Sequence, residues 1–300
     1  MVRPSQSPRD QVRRSAPTAE MVEARRLLLD ALDALAPLLP AVVLGGGQAA
    51  DLHLPAGSFP IPLSTRDGDL TVDVRALTRP ARIGELLTLA GLEITGGHGH
   101  WARATNRLLQ YFSRKWPVRI DMMVPDEPWP EAVAGPDPRV GGDASNMPPM
   151  VVTLLDDSPL AVPALDASDL RRRTVRVAGT ASLLLTKVHK FETRRLRAVA
   201  RRRPFSTIPT KDILDIVRLL LAPGEDIERD VHRIRLDARG AGVARESLSY
   251  LDEHFSRNDG LGTRLAREAL EPYGGGDLAV KACLRAARIC VGSRYPAARS

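Results

Sequence analysis

Two aspartates, Asp67 and Asp69, stand two residues apart at the head of the β-branched run Thr71-Val72-Asp73-Val74. Alternate side chains of a strand share a face, so both carboxylates would project together. Hard oxygen ligands in that arrangement suit a magnesium ion. Upstream, a buried-strand signal over Ala41–Leu44 runs into Gly45-Gly46-Gly47, a turn whose missing side chains let a phosphate approach backbone amides. The pairing is what a magnesium–nucleotide site requires. Asp121 adds a third carboxylate, set in the apolar stretch Val118–Val124. A charge there must leave the core or enter a functional cleft. Three carboxylates converging on one sheet edge would bind one or two divalent ions. Taken singly, a glycine triplet is compatible with any tight turn and Asp-Gly-Asp with an ordinary loop.

The elements that must position these residues follow from periodicity. Met21, Ala24, Leu28, Leu32 and Leu35 recur at helical spacing, predicting a helix over Ala19–Ala36 closed by Pro37 and Pro40. A short helix is expected over Gln48–Leu54, a proline-rich loop over Pro55–Ser64, and a strand over Asp69–Val74. A helix follows over Arg82–Ala90, then strands over Asn106–Phe112 and Val118–Val124. Pro125–Met150 is crowded with Pro, Gly and Asp and reads as a long loop. Further strands are expected over Val151–Leu155, Leu160–Leu165 and Thr174–Val177. From Thr180 the pattern is helical throughout: Ala181–Ala200, Lys211–Leu221, Asp226–Arg235, Val243–Phe255, Thr263–Leu270 and Leu278–Val291. The expected architecture is a mixed-sheet α/β (α+β) half over 20–178 and an all-helical half over 179–300, behind a disordered basic tail over 1–19.

Composition sets the surroundings. With 43 Lys+Arg against 36 Asp+Glu, the formal charge is +7. That fits a polyanionic partner, and it fits a compositional bias toward arginine equally well. Aromatics make up only 4%, so extensive stacking on bases is not expected. No apolar run is long enough to span a membrane, and the first twenty residues carry no apolar segment of a secretory leader. Cys283 and Cys290, two helical turns and about 10 Å apart, are too distant to bond to each other and read as buried thiols of a cytoplasmic protein. His98 and His100, in a glycine-rich stretch, lack partners at ligand spacing and read as a flexible loop. His189 reads as a boundary residue of its helix.

The order of these motifs resembles the nucleotidyltransferase fold. That pattern is a glycine turn (Gly46-Gly47), an acidic pair on the next strand (Thr65-Arg-Asp-Gly-Asp-Leu70) and a third acidic residue on a later strand (Arg119-Ile-Asp-Met-Met123). In the helical half, Lys187–Arg194 is similar to the lysine-to-arginine helix of the AbiEii/MenT toxins, and Lys211-Asp-Ile-Leu-Asp215 is similar to their following helix. The motifs span residues 42–220; beyond them the likeness is only helical character. Position 68 departs from the pattern, with glycine where an apolar residue is usual.

The resemblance implies Mg²⁺-dependent transfer of a nucleoside monophosphate from an NTP, with RNA such as a tRNA 3′ end as acceptor, by the toxin of a toxin–antitoxin pair. Asp67, Asp69 and Asp121 would hold the metal. Gly46, Gly47, Thr65, Arg66 and Arg194 would meet the nucleotide. Lys187 would serve the phosphates, and Asp212 would be a base or positioning group for the acceptor hydroxyl. A cognate antitoxin is the expected protein partner. Small-molecule acceptors, or nucleotide binding without turnover, are the alternatives. On residue type alone, Lys187 and the arginines after it could simply be solvated, and Asp212 could serve the start of its helix.

Overall fold

The computed structural model describes residues 17–54, 59, 65–77, 83–94, 100–103, 118–125, 145–146, 148–223 and 226–294. The expected strand over Asn106–Phe112 and most of the two proline-rich loops lie outside these residues, as does the tail up to residue 16. Helix α1 spans Ala19–Ala34, its N-terminus capped by Thr18, whose hydroxyl accepts from the Met21 amide at 3.2 Å. The last residues assigned to the tail therefore belong to this helix start.

Strand β1 (Val42–Gly45) is buried throughout, as expected of a β-branched run covered on both faces. Helix α2 (Gly46–His53) follows without a loop: of the expected glycine turn, Gly45 ends the strand, and Gly46 and Gly47 open the helix. After β2 (Asp67–Val72) come α3 (Ile83–Leu89), β3 (Leu92–Ile94), β4 (His100–Arg103) and β5 (Arg119–Val124). His100 thus belongs to a strand, while His98 lies outside the described residues. Strands β6 (Ser145–Asn146), β7 (Asp157–Pro163) and β8 (Arg172–Ala178) complete one mixed sheet of order β3-β4-β5-β2-β1-β8-β7, with β6 beside β5.

The expected strand over Val151–Leu155 is instead a 3-10 helix over Pro148–Leu154. Short apolar runs do not reveal their period, and two leading prolines suit a first helical turn. Thr153 bonds back to the Met150 carbonyl at 2.7 Å and across to Thr71 of β2 at 3.3 Å, placing this segment on the face of the sheet that carries Thr71.

Six helices follow: α4 (Thr180–Ala200), α5 (Thr210–Leu220), α6 (Ile227–Leu236), α7 (Ala241–Phe255), α8 (Leu261–Leu270) and α9 (Gly276–Arg294). Strands give way to helices at Gly179, close to the expected boundary. One hydrophobic cluster nevertheless runs from α1 through the sheet into α4, α5, α7 and α9. The two faces of the sheet are roofed differently. Helix α1 covers one, and the α2–α4–α5 group with the 3-10 segment covers the other.

The start of α4 is fixed by Asp156. Its Oδ2 accepts from the Ser182 amide at 2.9 Å, its carbonyl accepts from the Gly179 amide at 2.7 Å, and its Oδ1 accepts from Arg233 of α6 at 2.9 Å. Gly179 is needed for this approach, since a Cβ there would lie 2.5 Å from Asp156 Oδ2. Helix α2 is fixed by buried Arg25 of α1, which donates to Gln48 at 2.7 Å, Asp51 at 3.0 Å and the Pro163 carbonyl at 2.9 Å. Cys283 and Cys290 are both free and buried, and His189 is partly buried against the Tyr250 ring.

Candidate active site

Register brings the sequence motifs together. Gly45 of β1 lies opposite Asp69 of β2, and Asp69 lies beside Asp121 of β5. Residues level with one another on neighbouring strands share a face, and so do residues two apart. Asp67, Asp69 and Asp121 therefore form one acidic face. The proline-rich gap between Gly47 and Asp67 does not separate the glycines from the carboxylates.

The contact at Gly46 is the tightest in the site. Its backbone is left-handed, with φ of +61°, and an added Cβ would lie 1.7 Å from Asp69 Oδ2. Only glycine fits there, and the Asp69 carboxylate rests against the positive start of α2. A Cβ on Gly47 would lie 2.8 Å from Thr65 Oγ1 and 3.4 Å from Lys211 Nζ. Gly68 has its own reason on the opposite face, where a Cβ would meet Leu28 of α1 at 3.2 Å and Ile120 at 2.8 Å. Glycine at this position lets α1 close on the sheet and leaves the acidic face unaltered.

Arg119 sits among the carboxylates. It donates Nε to Asp121 Oδ1 at 2.7 Å and Nη2 to Asp121 Oδ2 at 3.1 Å, and its Nε lies 3.5 Å from Asp67 Oδ1. Arg119 is not among the residues expected at the site, although the alternation Arg-Ile-Asp places it on the face of Asp121. Burial, and then the charges of Asp69 and Asp121, push the Asp67 carboxyl up, against the opposing pull of Arg119 and Lys211. That excess of negative charge on hard oxygen donors suits a divalent cation. Asp67 and Asp69 are the residues able to hold it, because Asp121 is engaged by Arg119. Among the described residues, no three carboxylate, imidazole or thiol groups are gathered as a metal site.

The opposite wall comes from α4 and α5. Lys187 is buried and donates to Asp215 Oδ2 at 2.7 Å. Burial alone would lower its pKa, but the charges of Asp215, Asp69 and Asp212 outweigh it and hold the ammonium above the ordinary lysine range. Asp215 is fully buried among three cations: Lys187, Arg218 at 3.2 Å and Lys211 at 3.9 Å. Burial works against its charge, and those cations overcome it, holding the carboxyl below its usual range. Asp212 is buried beside Arg194, whose Nη1 is 2.7 Å from Oδ2 in an ion contact outside hydrogen-bond alignment, and Lys190 is 3.7 Å from Oδ1. It faces these two cations at the edge of the wall.

Lys211 reaches from the helical wall toward Gly47 and Thr65. It remains 34% exposed, and its Nζ lies 3.5 Å from Thr65 Oγ1. Burial and the neighbouring Lys187 pull its pKa down. In the sequence Lys211 stands out only as part of the Lys211–Asp215 motif. Its i,i+4 spacing to Asp215 was visible, but its approach to Thr65 joins two halves of the chain. Arg66, by contrast, points away: it is 52% exposed and lies 3.9 Å from Glu20 of α1. Strand alternation sends it, like Gly68, to the α1 side.

Fold and site together define an α/β protein with an acidic strand face, a glycine-led helix and a cationic helical wall. Compared with known protein families, curated proteins and solved structures, the chain matches none.

Proposed function

We propose that this protein is a nucleotidyltransferase that moves a nucleoside monophosphate from an NTP to an acceptor hydroxyl, with RNA as the acceptor. The observation that carries the reading is the shared register of Gly45, Asp69 and Asp121 opposite Lys211 and Lys187. Transfer of a nucleotidyl group asks little covalent work of a protein; it needs held triphosphate and neutralised charge.

In this reading Asp67 and Asp69 would hold Mg²⁺, which would supply charge neutralisation at the phosphates. The first amides of α2, at Gly46 and Gly47, take phosphate oxygens, as helix starts do. Lys211 binds the triphosphate from across the cleft, where the anion's charge favours its protonated form. Lys187 and Asp215 act behind it, fixing the position of that cation. The acceptor oxygen forms a bond to the α-phosphorus while the α–β bridging P–O bond breaks and pyrophosphate leaves. The hydroxyl proton passes to solvent water. Asp212 orients Arg194 and Lys190 at the edge.

Purified protein with Mg²⁺ and α-labelled NTPs is expected to transfer label to bulk tRNA, and Asp69→Ala to reduce this by at least a thousandfold. Expression of the wild type, and not of the variant, should arrest growth if the protein is the toxin of a toxin–antitoxin pair. Label transfer by the variant at the wild-type rate would sink the reading. The two-pronged Arg119–Asp121 contact favours a second reading, nucleotide binding without turnover; NTP binding with no transfer to any acceptor would decide for it.

A further inference from the structure

Lys187, Lys190, Arg194, Arg197 and Arg201 follow one another along α4 at spacings of three and four. At 100° per residue they fall within an arc of about 80°, and the row rises about 21 Å from first to last. Its inner end is the buried Lys187–Asp215 pair, and its middle is the Arg194–Lys190–Asp212 group. Its outer end, Arg197 and Arg201, is exposed and continues into exposed Arg202 and Arg203. Among the described residues, no ion pair engages any of these four arginines.

The turn that ends α4 holds an independent sign that the charge is wanted. The Arg203 amide bonds to the Ala198 carbonyl at 2.8 Å and the Arg202 amide to the Val199 carbonyl at 3.0 Å. This is the Schellman ending, whose left-handed residue is usually glycine. Here that residue is Arg202, with φ of +49°. An L side chain in this conformation is strained, and among the described residues its side chain has no ion partner to offset that. Cations near a helix C-terminus complement the helix dipole, which accounts for the last turn but not for a row reaching four turns back.

We infer that the accessible part of this row, from Lys190 outward, is a track for the phosphodiester backbone of a single-stranded nucleic acid, leading its end into the cleft; the inference rests on the nucleotidyl-transfer reading for what happens there. A polyanion approaching an acidic face needs a cationic path, and guanidinium forks match phosphate oxygens in pairs. The row contains no aromatic residue, so it reads backbone charge and not base identity.

The test measures binding of a fluorescent single-stranded RNA 12-mer to the full chain by anisotropy, without nucleotide, across a salt series. The logarithm of affinity should fall linearly with that of salt concentration. In the double variant Arg197→Glu/Arg201→Glu, affinity should drop at least tenfold and the slope should shrink by about 1.4, two phosphates' worth. Arg202→Gly should weaken RNA binding while raising the melting temperature, opposite signs that a merely structural arginine would not give. Wild-type RNA binding by the double variant, or equal competition by polyglutamate of matched charge, would overturn the track, the latter in favour of an acidic protein partner. RNA binding that meets these expectations in a chain with no transfer activity would leave the track standing and remove the nucleotidyl-transfer reading.

Discussion

Asp67 shows how much of this site is electrostatic tension. Its carboxyl is raised by burial first and by Asp69 and Asp121 next. A raised acid favours its protonated form in the folded state, so the stability it contributes is complete below the unfolded value near 3.8 and is lost as pH rises through the raised folded value. At neutral pH the ionised group opposes folding, a cost that the proposed Mg²⁺ would offset. Asp67→Asn is therefore expected to raise the melting temperature at pH 7 by about 2 °C, with the difference vanishing near pH 3. Mg²⁺ should stabilise the wild type and not the variant. A variant that melts lower at pH 7, or equal Mg²⁺ shifts in both proteins, would contradict this. The acidic pair was legible in the chain because period-two spacing is local. Arg119 and Lys211 were harder to see, since a cation's role depends on which carboxylate or hydroxyl it meets.

At the scale of elements, the site depends on how α2 and α4 begin. Helix α2 starts on glycines because the Asp69 carboxylate occupies the space a side chain would need. Helix α4 starts at Gly179 because Asp156, far back in the chain, caps it. Asp156→Ala removes that cap and the Arg233 partner together. A loss of about 2 kcal/mol in urea unfolding is expected, along with weaker NTP binding, because Lys187 rides on α4. A change under about 0.5 kcal/mol would show that α4 is held by packing alone. The helices themselves were legible to within a few residues, since each carries its own apolar period. The 3-10 segment over Pro148–Leu154 was not, because an apolar run of that length fits strand and helix equally.

Across the whole molecule, the strand half and the helical half share one hydrophobic cluster and one site. Unfolding is expected to be a single transition. All three tryptophans, Trp101, Trp116 and Trp129, precede the boundary, whereas most helix follows it. Tryptophan fluorescence and far-UV circular dichroism should therefore report the same midpoint in denaturant; separated midpoints would mean that the halves fold as independent domains. The sequence by itself determined the order of the helices, the acidic pair on one strand face and the helical spacing of the cations along α4, but not the short strands β3, β4 and β6. What it determined follows from spacing along a single element, with periods of 2 and 3.6. Tertiary structure alone decided that Gly46 must yield to Asp69, that Arg119 joins Asp67 to Asp121, that Arg66 faces away, and that Lys211 stands over Thr65. Those relations join residues far apart in the chain, and only sheet register and helix docking bring them within reach of one another.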